Sequence, residues 1–115
     1  ELDRSDAMHF DLKQGRGGLA DLEFLLQLLV LEHAAADASL VGAMRSSALI
    51  DGLQAAGCMD PTQAAALHAA HRLLLERSLD CTLDGAPRLV PSASVADATR
   101  TIDRAWRAAV ATSGA

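Results

Sequence analysis

The stretch Phe10-Asp11-Leu12-Lys13-Gln14-Gly15-Arg16-Gly17-Gly18-Leu19-Ala20-Asp21-Leu22-Glu23-Phe24, running directly into Leu25-Leu26-Gln27-Leu28-Leu29-Val30-Leu31, decides the fold. Its clustered glycines mark a bend, because glycine enters crowded and left-handed backbone conformations at little cost. Beyond the bend, apolar residues at 19, 22, 25, 26, 29 and 30 recur with a helical period, and 24, 28 and 31 widen the stripe. A helix from about Gly18 to about Ala36 that is this apolar is expected to be buried on most sides and to form the centre of the molecule. Its free first-turn N–H groups, with Lys13 and Arg16 alongside, gather positive charge at one corner, a setting that suits a phosphate or a carboxylate.

Composition extends this reading to the whole chain. At 115 residues it is one domain, able to bury roughly two-thirds of its unfolded surface. Hydrophobic residues make up 50% but aromatics only 3%, so the core must be built from Leu, Ala, Val, Ile and Met. Packed helices suit that mixture better than a β-sandwich does. The expected class is all-α, a helical bundle of about four helices around the apolar first one. A net charge of -5 argues against a general nucleic-acid or membrane-surface binder, which would want a sustained basic face. No apolar run reaches the length of a bilayer span, and Glu1-Leu2-Asp3-Arg4 does not open a signal segment, so the cytoplasm is the expected location. Cys58 and Cys81 lack Cys-x-x-Cys or zinc-finger spacing and read as ordinary thiols of a reducing compartment. His68 and His71 share a helix face but have no third ligand at a familiar spacing, which favours a packing or surface pair over a metal site.

Outward from the glycines, residues 1–17 read as a linker and glycine-rich junction, 18–111 as the bundle, and 112–115 as a frayed end. Glu1 to His9 is charged and without clear period. Phe10 to Lys13 alternates apolar and polar, as a short extended piece does, and Phe10 and Leu12 are expected to tuck against the bundle. Ala38 to Gly42 is a less periodic connection. A second helix is expected near Ser46 or Ser47, either able to accept a first-turn N–H, carrying Leu49, Ile50 and Leu53 and closed by Gly57. Asp60-Pro61-Thr62-Gln63 has the form of a capping box, with proline at the first helical position. Ala64, Leu67, His71, Leu74, Leu75 and Leu79 then follow at helical spacing. Asp84-Gly85-Ala86-Pro87 is turn chemistry, and Pro91-Ser92 prolongs the break. Ser94 with Asp97 is expected to cap a last helix whose seam is Val95, Ala98, Ile102, Ala105, Trp106 and Ala109. Arg100, Arg104 and Arg107 lie outside that seam, near Asp97 and Asp103, as a solvated paired face or else a docking face.

The chemistry-bearing candidates sit in the opening stretch. Asp21-Leu22-Glu23 has the acid-x-acid spelling of a metal pair, but on a helix positions i and i+2 point about 200° apart, so the two carboxylates are not expected to share an ion. Asp21 falls in the first turn, where a carboxylate meets the positive end of the dipole. Glu23 shares a face with Gln27 on a helix with little room for exposure, so a partner is expected in Lys13 or Arg16. The two acids read either as a brace for the glycine corner or as contacts to a nucleotide. Gly15-x-Gly17-Gly18 is neither a phosphate loop nor part of a βαβ unit. It serves a tight turn and close packing, or, with Lys13 and Arg16, faces an anion.

The spelling Leu12-Lys13-x-Gly15-x-Gly17-Gly18-Leu19-x-Asp21-Leu22-Glu23-Phe24-Leu25-x-Gln27 resembles the opening of the helical domain that follows a nucleotidyltransferase domain in bifunctional glutamine synthetase adenylyltransferase/adenylyl-removing enzymes. The likeness continues through Ala56-Gly57-Cys58-Met59-Asp60, a long third helix, and Arg104-Ala105-Trp106-Arg107, which is similar to the extreme C-terminus of that family. It implies a parent that moves AMP from ATP to a tyrosine of glutamine synthetase with Mg²⁺, reverses this by phosphorolysis, and answers to glutamine and a PII-type signal protein. It places Lys13, Arg16, Gly17, Gly18, Asp21 and Glu23 at the junction with the parent's own upstream nucleotidyltransferase domain or its nucleotide. The fragment itself is expected to bind no cofactor and to be inactive alone, with no nucleic-acid or membrane partner. Two other readings stay open: a free-standing helical interaction module, and the matching segment of a uridylyltransferase acting on the PII-type protein. The stop soon after Trp106 speaks against the latter.

Overall fold

In the computed structural model, residues 3–33 and 45–113 are described, without the side chains of 32, 33, 112 and 113. Among these residues four α-helices are present: α1 (Leu19–His33), α2 (Ser46–Ala55), α3 (Pro61–Leu83) and α4 (Ala96–Ser113). Helix α4 takes in the first two residues of the stretch expected to fray. The expected continuation of α1 to Ala36 and the connection from Ala38 to Gly42 lie outside the described residues.

Helix α1 touches each of the other three helices, and α3 lies against α4 along much of their lengths. Leu22, Leu25 and Leu26 of α1 are fully buried against Ile50 and Leu53 of α2, Leu67 and Leu74 of α3, and Ile102 of α4 in one cluster. At about 25 cal/mol per Å² of apolar area removed from water, side chains of this size each contribute about 1.5–3 kcal/mol, and the cluster is the main source of stability. The all-α expectation therefore holds, with one addition.

That addition is a small antiparallel ribbon. β1 (His9–Asp11) pairs with β2 (Leu89–Pro91) in the register His9↔Pro91, Phe10↔Val90, Asp11↔Leu89. The first strand falls on the expected extended piece. The second falls on residues read only as a prolonged break, because three residues are too few to show a period. Leu12, just past β1, is fully buried, so residues 9–18 are packed onto the bundle.

Several local expectations hold. Asp60 caps α3, its carboxylate accepting the Gln63 N–H at 2.7 Å, with Pro61 in the first turn. Gly57 closes α2 with φ +80°, while the N–H groups of Gly57 and Cys58 donate to the carbonyls of Gln54 and Leu53. This is the paired 5→2 and 6→1 pattern that satisfies the last carbonyls of a helix.

Others are corrected. Helix α2 starts after Arg45 with no side-chain cap, so neither Ser46 nor Ser47 serves as one. Ser94 donates its hydroxyl to the Pro91 carbonyl inside a 3-10 turn (Ser92–Val95) instead of capping α4. On α3 the buried line is Ala64, Leu67, Ala70, Leu74 and Ser78, which leaves Leu75 and Leu79 exposed and His71 half-buried. Helix α1 is buried or half-buried over most of its circumference, as expected, but one sector stays open, where Phe24 (62%) and Leu31 (77%) face outward.

The tightest backbone approach is at Gly17, with φ +82°, where an added Cβ would lie 2.5 Å from the Thr99 carbonyl oxygen of α4. Gly57 has a similar φ but open space around it. Gly57→Ala should therefore cost only the backbone strain, about 1 kcal/mol. Gly17→Ala should cost about 2–4 kcal/mol, since strain and overlap with a helix backbone add. Urea unfolding of the two variants checks this, and equal losses would contradict it.

Candidate functional site

The corner begins at Asp11, the one buried carboxylate among the described residues. Its Oδ1 accepts the N–H groups of Lys13 and Gln14, each at 3.1 Å, and its Oδ2 accepts that of Arg4 at 3.1 Å, with the Arg4 guanidinium nearby. Burial pushes this carboxyl up, but the three N–H groups and the Arg4 charge outweigh it and hold its pKa below the usual 3.8. Asp11 thus pins both the incoming chain and the first turn of the corner. Sequence reasoning passed over it, although an Asp two and three residues ahead of the N–H groups it accepts is a recognisable turn signal.

The corner then closes on itself. Gly15 N–H donates to the Asp11 carbonyl, Gly18 N–H to that of Gly15, Leu19 N–H to that of Leu12, and Ala20 N–H to that of Lys13. First-turn amides that sequence alone leaves free for an anion are in part engaged by the loop itself. Gly17 N–H donates to Asp21 Oδ2 at 2.7 Å, so Asp21 braces the corner across the start of α1. The backbone carbonyl of Asp21 accepts the Trp106 indole N–H at 2.6 Å. Trp106 was expected only as a seam residue; its polar edge fastens α4 to the start of α1.

Arg16 does not reach Glu23. Its Nε lies 2.8 Å from Asp103 Oδ1, while Arg107 Nε lies 3.1 Å from Asp103 Oδ2, so one carboxylate of α4 holds two arginines. Arg100 pairs with Asp97, as expected for a solvated face. Beside this cluster runs an open trough of about 460 Å³ lined by Arg16, Asp21, Asp103, Trp106, Arg107 and Val110.

Glu23 is the clearest correction: it is exposed, and neither Lys13 nor Arg16 pairs with it among the described residues. It faces, with Gln27, a groove of about 480 Å³ also lined by Arg45, Ser46, Ser47 and His71. Burial lowers the His71 pKa, the nearby His68 lowers it further, and Glu23 works the other way. His68 itself lies 2.8 Å from Asp51. Asp21 and Glu23 occupy helical positions two apart, one turned to Gly17 and the other to solvent, so they do not fit a shared Mg²⁺. Among the described residues no three His, Cys, Asp or Glu side chains are placed to hold a metal, and no helix is long and apolar enough to cross a membrane.

What the geometry defines is a helical domain led by a stapled glycine corner, without convergent catalytic groups in the described residues. Comparison with known proteins gives it a family. A model described as GlnD PII-uridylyltransferase matches residues 2–82, and the chain belongs to that family. It is also 50% identical over 110 residues, 95% of its length, to the bifunctional glutamine synthetase adenylyltransferase/adenylyl-removing enzyme of Stenotrophomonas maltophilia (strain K279a). The enzyme of that name from Xanthomonas campestris pv. campestris (strain B100) is 55% identical over 92 residues, 80% of this chain, and that of Nitrosococcus oceani 40% over 72 residues, 63% of this chain. The chain spans only 12% of the first of these proteins, 10% of the second and 7% of the third.

Two pH effects follow. Because folded Asp11 binds its proton less tightly than unfolded Asp11, its stabilisation is present above the unfolded value and is lost as pH falls through the lowered one; Asp11→Ala should remove it and cost about 2–4 kcal/mol at pH 7, read by urea unfolding. Folded His71 also binds its proton less tightly than the unfolded side chain, near pH 6.5, so the unfolded state takes up more protons as pH drops below about 7. Stability falls through that window until the lowered folded value is passed. His71→Gln should flatten the decline between about pH 7.5 and about pH 5, and an unchanged slope would refute the assignment.

Proposed function

We propose that this chain is the helical accessory domain of a glutamine synthetase adenylyltransferase, bracing a nucleotidyltransferase domain that transfers AMP from ATP to a tyrosine of glutamine synthetase. The observation that carries this is identity of 50% over 95% of the chain to an enzyme of that name, in a segment amounting to 12% of it. The geometry agrees with a supporting role. Gly17, Gly18 and Asp21 are used in building the corner, and Asp21 and Glu23 diverge, so Mg²⁺ and the reacting phosphates belong to the neighbouring domain. Lys13 is half-buried beside the corner and Arg16 exposed, its guanidinium steered by Asp103. Glutamine synthetase and a PII-type signal protein are then partners of the whole protein, which works in the cytoplasm.

A second reading has its own support, because the matching family model carries the PII-uridylyltransferase name. In that case the neighbouring domain would use UTP and the acceptor would be the PII-type protein.

One assay separates the readings. The 115-residue chain, incubated with ATP, Mg²⁺ and glutamine synthetase, should incorporate no label from α-labelled ATP. The full-length protein should label glutamine synthetase with AMP and leave a PII-type protein unlabelled with UTP. Labelling by the short chain would overturn the non-catalytic role, and UMP transfer to the PII-type protein would select the second reading.

A further inference from the structure

The fold accounts for only part of the Phe10–Gln27 stretch. Gly15, Gly17 and Gly18 are fixed by close backbone approach, Asp11 and Asp21 by the N–H groups they accept, and Leu12, Leu22, Leu25 and Leu26 by the core. Arg16 is held by Asp103. Three neighbouring side chains on the outer sector of α1 have no such internal role: Glu23, Phe24 and Gln27 are all exposed, and Leu31 continues the sector two turns beyond Phe24. A phenylalanine and a leucine facing water on one helix side are a costly arrangement for an isolated domain and an ordinary one for an interface.

Glu23 and Gln27 also form one wall of the 480 Å³ groove, whose far side holds Arg45, Ser46, His71 and Leu75. Neither Glu23 nor Arg45 has an ion pair among the described residues. An aromatic anchor beside charges of both signs that form no ion pair among the described residues is the composition of a docking surface, in which apolar centre and polar rim are matched by a partner. On α4, by contrast, Asp97 pairs with Arg100, and Asp103 with both Arg16 and Arg107.

Resting on the accessory-domain assignment above, we infer that the outer sector of α1 (Glu23, Phe24, Gln27, Leu31), with the Arg45 rim of the adjoining groove, is the face on which the neighbouring nucleotidyltransferase domain docks. The relatives are about eight times longer than this chain, the chain spanning 12% of one of them, so such a partner is covalently linked and present at high effective concentration. It offers an apolar recess for Phe24, a carboxylate for Arg45 and a hydrogen-bond donor or cation for Glu23. The glycine corner then sets the direction in which α1 presents this face, and α4 with Trp106 holds the corner from behind.

Single-cysteine variants of the full-length protein test the surface directly. Phe24→Cys and Leu31→Cys should react with a small maleimide at least tenfold more slowly than Ala69→Cys on α3 and Val110→Cys on α4. All four parent positions are exposed in the domain, so the substitutions leave its core intact. Equal rates at all four sites would overturn the inference, and so would slow labelling confined to Val110. The enzymatic assignment fails separately: if the unsubstituted protein transfers no AMP to glutamine synthetase yet positions 24 and 31 are shielded, the docking face stands and only the partner domain's reaction is reassigned.

Discussion

The structure depends on the contact between Gly17 and the backbone of α4. A helix backbone is a stiff wall, and the 2.5 Å that separates a hypothetical Cβ at Gly17 from the Thr99 carbonyl oxygen leaves room for a hydrogen atom but not for a methyl group. Everything around the corner serves that approach. Asp21 takes the Gly17 N–H, Trp106 takes the Asp21 carbonyl, and Asp103 takes the Arg16 side chain. The three ties join the corner to α1, α4 to α1, and the corner to α4, and together they set the crossing of those helices at one end. The Leu22, Leu25 and Ile102 packing supplies the larger free energy but, being non-directional, does not by itself choose an angle.

Asp11 extends the same logic to the incoming chain. A carboxylate buried at 3% exposure is tolerated only because several donors meet it, and here they come from Arg4, Lys13 and Gln14, on both sides of β1. Pairing of β1 with β2 then fastens the segment before the corner to the segment before α4. The two connections that flank α1 and α4 therefore share one small ribbon.

Helix content, the α3 start and the α2 stop were legible in the sequence because they rest on local rules: the leucine period of α1, the Asp60 cap, the left-handed Gly57. The failures share a cause as well. Phe24 and Leu31 were placed in the apolar stripe of α1 by period alone, but how much of a helix is covered depends on how many neighbours it has and how far they reach, which is tertiary information. Glu23 was given a partner for the same reason, since an overestimated burial created a charge that needed one. β2 was invisible at three residues. Asp103 and Trp106 could be placed on α4, yet nothing in their spacing announced that Arg16 and Asp21, more than eighty residues earlier, would be their partners.

The distribution of charge around α1 explains how one short stretch can serve both folding and recognition. Its inward and N-terminal groups are compensated within the domain: Asp21 by an amide and the helix dipole, Arg16 by Asp103. Its outward Glu23 forms no ion pair among the described residues, and two large apolar side chains accompany it. A helix whose start is locked by internal ties loses little further freedom when its outer face is covered, so the interaction energy of that face is opposed by a smaller ordering cost. Rigidity at the corner and exposure on α1 are in this sense one device, because the first makes the second useful for binding.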